Sequence, residues 1–355
     1  MERQNNFDAL RLIAASLVIF SHAFLIAEGH DGHEPLVMAS GRELALGHVG
    51  VFIFFVISGY LVTKSLEATG ANLRFAAKRA LRIFPGLWGS LLVTGLVLGP
   101  IATRLPLREY LAQPGLYAFL AHNAAFDVHV NGLPGVLFSE NSVGAIANGS
   151  LWTLLYEAMM YLMVLSLGRV RLLTPWVTAG LMTLGIAGLL WPWLGDRLGG
   201  WGWLLSFFAA GMCAARLPLE RFLDRRLALA ASLGLALAIP FGRVIPVFPL
   251  LGGYLVIFLA FYRGLPILPA ARFGDLSYGL YLYGWPVEEM VMYLSHGRAP
   301  WWAVFALGLL GAGALAFLSW RFIEAPALRW KPAIRGREAG PPLAPRRSRP
   351  RPVSP

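Results

Sequence analysis

The sequence predicts an all-α membrane protein: a polytopic bundle of about ten transmembrane helices with both termini on the cytoplasmic side. Three observations carry that expectation. The 355 residues are 57% hydrophobic and only 14% charged, whereas soluble domains carry about a quarter charged residues. Apolar stretches able to cross a hydrocarbon core of about 30 Å recur along the chain. With the N-terminus placed inside, 24 of the 30 basic residues fall in cytoplasmic segments and 6 in outer ones, the asymmetry that orients membrane proteins.

The stretches lie near residues 9–28, 44–63, 84–103, 150–168, 173–194, 201–215, 227–240, 248–262, 276–294 and 301–320. The sixth to eighth are short, and the seventh is closed by Pro240, which disfavours helix in the residue before it. The first contains Asp8 and Arg11, and no small-residue cleavage site follows Phe24. It is therefore read as a retained helix rather than a cleaved signal. Residues 1–330 form one transmembrane domain, expected in the cell (inner or plasma) membrane as a multi-pass protein. Its one long outer loop, 104–149, carries His122, Asp127, His129, Asn131, Glu140 and Asn148. Long ordered loops are often functional, and this one is placed to cover a substrate site on the outer face. Residues 331–355 are a Pro- and Arg-rich cytoplasmic tail with too little apolar content to fold, suited to anionic lipid headgroups.

The net charge of +11 therefore belongs to cytoplasmic segments beside membrane lipid. With no basic groove interleaved with aromatics, nucleic-acid binding is excluded. The lone Cys213 excludes an intramolecular disulfide and any Cys-based metal cluster. His30-Asp31-Gly32-His33 has no third ligand in view and is not expected to hold a metal. Gly95, Gly99, Gly308, Gly311 and Gly313 suggest close helix packing.

Ionisable groups inside spanning helices are costly, which makes them functional candidates. Arg11 and His22 are eleven positions apart, so they share one helix face about 16 Å apart, Arg11 near the cytoplasm and His22 in the outer half. Asp8, one turn before Arg11, can pair with it. A snorkelling arginine and a histidine bonded to a neighbouring helix are the structural alternatives. Glu157 of the fourth stretch lies at the depth of His22, where a carboxylate can orient an imidazole and raise its basicity. A Glu–Tyr or Glu–Arg pair is the alternative there. Of Glu288 and Glu289 only one is expected to face inward, and snorkelling to the outer headgroups explains both equally well. Arg79 and Arg82, three apart after the second stretch, suit a phosphate or simply mark the inner side.

Six segments then carry a resemblance to the acyltransferase-3 family of membrane O-acyltransferases, covering roughly residues 5 to 330. They are Phe7-Asp8-x-x-Arg11 with His22, Gly50 to Leu61, Arg79-x-x-Arg82-x-x-Pro85, and Ser150-Leu151-Trp152-Thr153-x-x-x-Glu157. Ser277-Tyr278-Gly279-Leu280-Tyr281-Leu282-Tyr283-Gly284-Trp285-Pro286 and Glu324-Ala325-Pro326 complete the set. The resemblance implies transfer of an acyl group, usually acetyl, from acyl-CoA to a hydroxyl of a carbohydrate, lipid-linked glycan or related acceptor. It implies essential roles for His22 and Arg11, with Glu157 orienting His22. Arg79 and Arg82 would bind the donor, with Asp8, Trp152, Ser277 and Tyr278 in support. No resident cofactor and no metal are expected; acyl-CoA is the donor substrate. Gly284 stands where many members carry histidine, so the late helix is not expected to supply a catalytic group. The hydrolase-like domain fused to some members is not expected either. A transporter or flippase of lipid-linked saccharides is the rival class, but it often shows inverted repeats, and none is visible.

Overall fold

A computed structural model describes residues 5–136, 144, 146–262, 264–266, 268, 270 and 274–330. Glu140, Arg263, Arg272 and the tail 331–355 lie outside the described residues. Among the described residues the chain is helical, and its β-structure is an isolated bridge between Thr103 and Val136. Ten long helices follow the ten apolar stretches. They are α1 (Phe7–Glu28), α2 (Leu46–Thr69), α3 (Leu73–Val93), α4 (Trp152–Arg169), α5 (Pro175–Leu190), α6 (Gly200–Arg216), α7 (Arg225–Ala238), α8 (Val244–Phe261), α9 (Ser277–Leu294) and α10 (Trp301–Ser319). Six are long and apolar enough to cross a membrane: α1, α2, α3 extended to Ala102, α4 with its preceding turn from Gly149, α8, and α10 extended to Arg329. The protein is thus an all-helical membrane protein with six candidate spans among the described residues.

α3 starts at Leu73, eleven residues before the expected stretch, because Asn72 caps it by accepting from the N–H groups of Arg74 and Phe75. Arg74, Lys78, Arg79 and Arg82 therefore lie on the helix itself. An apolar-run criterion misses these amphipathic first turns. The loop at 104–149 likewise is partly helical, with Leu107–Ala112 and Pro114–Ala124. Tyr110 is buried and donates to the Gly95 carbonyl at 2.7 Å. Gly95 and Gly99 thus make room for this loop, while Gly313 has open space around it and marks no packing site.

α2 packs backbone to backbone on α6. A Cβ on Gly59 would strike the Phe208 carbonyl, and one on Gly211 the Val56 carbonyl. Small residues permit such approach where lipid supplies no hydrophobic drive. Phe52 of α2 and Phe207 of α6 stack at 3.8 Å in the core beside Phe248 of α8.

α1 and α9 run side by side in the same direction, with Arg11 near Asp275, Ile19 against Gly284 and His22 against Trp285. α2 runs opposite to α1, placing Gly47 against Ser21 and Gly50 against Ala14 and Val18. These contacts set the levels of every group in the site.

Candidate active site

A cavity lies between α1, α2, α3, α4 and α9. On α2 its lining runs from Val51 to Val62, a length of about 16 Å. One end is basic. Arg11, Arg79 and Arg82 all face this space, together with Ser277 and Tyr278.

The Asp275 carboxylate organises that end. Its Oδ2 accepts from Arg82 at 2.5 Å and from Arg11 at 3.5 Å, while its Oδ1 accepts from the Ser277 hydroxyl at 2.6 Å. Asp8 pairs with Arg11 as its spacing predicts, at 3.8 Å. Tyr278 donates to the Ile83 carbonyl at 2.8 Å and places its ring under the Arg82 guanidinium. Arg79 is held differently. It donates to Ser65 Oγ at 3.4 Å and lies over the rings of Phe75 and Tyr161, and its buried Nε has no hydrogen-bond partner. An arginine with donors to spare, at the basic end of a cavity, is suited to take a phosphate.

Glu157 lines the same cavity, where Ser58 Oγ donates to its Oε1 at 2.8 Å and the Tyr161 hydroxyl donates to the same oxygen. The expected pairing of Glu157 with His22 is therefore not formed. Equal depth along two helices says nothing about which faces meet. The Glu–Tyr alternative is the one the fold adopts, with Tyr161 one turn further along α4. Trp152 turns toward α6, its ring 6.3 Å from that of Trp203, rather than into the cavity.

His22 sits beyond the cavity's other end. Ser21 packs against Gly47, four residues before Val51 on α2, so His22 lies about one helical turn past the cavity lining. Phe54 and Tyr281, ring centroids 5.7 Å apart, both line the cavity, and Thr153 bonds the Tyr281 hydroxyl at 2.7 Å. The His22 ring meets Trp285 edge-on at 4.9 Å, and its buried Nδ1 has no hydrogen-bond partner. The carboxylate beside it is Glu288, with Oε2 4.0 Å from Nδ1. Glu288 and Glu289 are both fully buried, so neither snorkels. α10 packs against α9 here, with Gly308 directly against Glu288. The late helix thus brings ionisable groups to both ends of the site, although Gly284 carries none. A Cβ at 284 would already press Ile19 at 2.8 Å.

Reading the sequence missed the organising role of Asp275 and the Glu288 neighbour of His22, and kept the Glu–Tyr pair of Glu157 only as the alternative. The Glu157–Tyr161 spacing of four was a usable signal. The pairing of Arg82 with Asp275, 193 positions apart, left none in a single sequence.

An apolar helical bundle with a basic cavity at one end and a partly buried imidazole past the other has the parts of a membrane-bound group-transfer enzyme. Residues 4–321 match the family model described as "Acyltransferase domain", and the chain belongs to the acyltransferase-3 family, whose members are membrane acyltransferases. It is 30% identical to nodulation protein 10 of Rhizobium leguminosarum bv. viciae, over 93% of this chain and 95% of that one. It is 27% identical to the O-acetyl transferase of Shigella phage Sf6, over 91% of this chain and 96% of that one. No solved structure matches the chain.

Proposed function

We propose that the protein is a ten-span O-acyltransferase of the cell (inner or plasma) membrane, with both termini cytoplasmic. It moves an acetyl group from acetyl-CoA to a hydroxyl of a surface or exported carbohydrate or lipid-linked glycan. The observation that carries this reading is the placement of two chemistries on one face of α1. Arg11 lies in the basic cavity, and His22 lies about 16 Å further out. Acetyl is favoured by the likeness to the phage O-acetyl transferase, and ten crossings by the ten helices that match the ten apolar stretches.

The donor enters from the cytoplasm, its phosphates at Arg79 and Arg82, with Arg11 lining the way inward. Two guanidiniums offer charge-assisted, bidentate contacts to phosphate oxygens. The pantetheine arm follows the apolar wall of α2 and passes Phe54 and Tyr281, so that the thioester reaches His22. There the imidazole takes the proton of the acceptor hydroxyl as its oxygen attacks the thioester carbonyl. The C–S bond breaks, and the CoA thiolate recovers that proton from His22. Attack by the imidazole itself, with a transient acyl-histidine, is the other route open to the same group.

The test is transfer by purified protein in detergent, with acetyl-CoA and a panel of glycan and lipid-linked acceptors read by mass. A mass gain of one acetyl on an acceptor, dependent on acetyl-CoA, supports the reading. Turnover of no acyl-CoA with any acceptor, by protein that elutes folded, contradicts it.

A further inference from the structure

Glu288 is the feature that the proposed function leaves unexplained. It is completely buried, and neither carboxylate oxygen has a hydrogen-bond partner. A buried, unpaired carboxylate is expensive, and a merely structural glutamate would have acquired a donor. What it faces is the Nδ1 edge of His22, itself without a partner, at 4.0 Å. The pocket is shaped for it. Gly308 of α10 lies directly behind, where a Cβ would come within 2.6 Å of Glu288 Cγ. Trp285, one turn earlier on α9, packs edge-on against the same imidazole. The other titratable group acting on His22 is His48 of α2, whose Nδ1 accepts from the Ala45 N–H at 3.3 Å. Glu289, adjacent on α9, acts on Glu288.

We infer that Glu288 is the positioning residue of His22. Its carboxylate accepts the Nδ1–H and thereby leaves Nε2 as the nitrogen that meets substrate. The inference rests on the acyltransferase reading and deepens it. The 4.0 Å separation is one that a small rotation closes, and such contacts tighten when substrate fills a site. In the reaction, the acceptor's O–H proton moves to Nε2 as oxygen bonds to the acyl carbon. The resulting imidazolium keeps its Nδ1–H against the Glu288 carboxylate, and its Nε2 proton passes to the departing thiolate. Glu288 neither gains nor loses a proton overall. It holds one tautomer and offsets the charge that develops, the task a carboxylate performs beside a catalytic imidazole.

Glu288→Gln keeps size but removes the charge, and is expected to lower kcat by about a hundredfold or more while donor KM stays within about twofold. Glu288→Asp should recover part of the loss, and Glu289→Gln should stay near wild type. Gly308→Ala, which pushes Glu288 from its place, should lower kcat at unchanged donor KM. Rates are taken per folded protein from size-exclusion chromatography. A readout independent of variants at 288 is the ¹⁵N spectrum of histidine-labelled wild type, with His22 assigned by its loss in His22→Gln. A proton on Nδ1 is expected. A proton on Nε2 with Nδ1 bare, or wild-type kcat in Glu288→Gln, overturns the inference. If Glu288→Gln is fully active while His22→Gln is dead, only this assignment fails. If His22→Gln is also fully active, the reading beneath it fails too.

Discussion

Replacing Arg79 with glutamine isolates the donor contact from the architecture around it. Arg79 carries no share of the Asp275 network; its contacts are one long bond to Ser65 and the ring faces of Phe75 and Tyr161. Its buried Nε has no hydrogen-bond partner, so the change orphans no carboxylate. What it removes is a charge-assisted contact to phosphate, worth about 1.5–3 kcal/mol. At about 1.4 kcal/mol per decade, acyl-CoA affinity should fall roughly 10- to 100-fold. Arg82→Gln should behave differently. It takes the 2.5 Å partner from Asp275 and leaves that carboxylate with Arg11 and Ser277, so folded yield should drop along with affinity. The assay is calorimetric titration of CoA into purified protein, beside a size-exclusion profile. Unchanged CoA affinity in Arg79→Gln would refute the phosphate argument and leave both arginines as markers of the inner side.

Reporter fusions at Gly70, Gly195 and the C-terminus should read inside, outside and inside; an outer signal at the C-terminus means an odd number of crossings. Asp127, in the loop between α3 and α4, accepts from His122 and from His129, both at 2.7 Å, and these bonds hold its carboxyl down to about 2. The folded value lies below the unfolded one, so the cluster's contribution is present above about pH 4 and is lost as pH falls toward 2. Carboxyl ¹³C titration should show Asp127 moving back toward the ordinary aspartate range in a His122→Ala, His129→Ala double variant. An unmoved midpoint would mean that the histidines do not hold it.

The long helices were legible because each is written into composition as one apolar stretch. Where polar chemistry shares a helix with apolar residues the signal fades, as at the start of α3, where Arg74 to Arg82 read as a loop. Polar residues that gather around the cavity, and short-range pairs such as Asp8 with Arg11, were legible, but the pairings between distant helices were not. Arg11, Asp8, Ser277 and Tyr278 gather with Arg79 and Arg82 where the motifs suggested, because each is polar in an apolar setting. Glu157 and His22 were joined on depth alone. The partner of His22 depends on how α1 and α9 are rotated against each other, which Gly284, Ile19 and Gly308 decide through contacts between distant segments.

The central claim is that His22 carries out the transfer. Its most direct test is release of free CoA thiol from acetyl-CoA in the presence of acceptor, by wild type and His22→Gln compared at equal folded protein. Glutamine keeps hydrogen bonding but cannot take a proton near neutral pH. The account predicts thiol release and acetylated acceptor from wild type, and neither above background from His22→Gln, with CoA affinity unchanged. Near wild-type release from His22→Gln would contradict it.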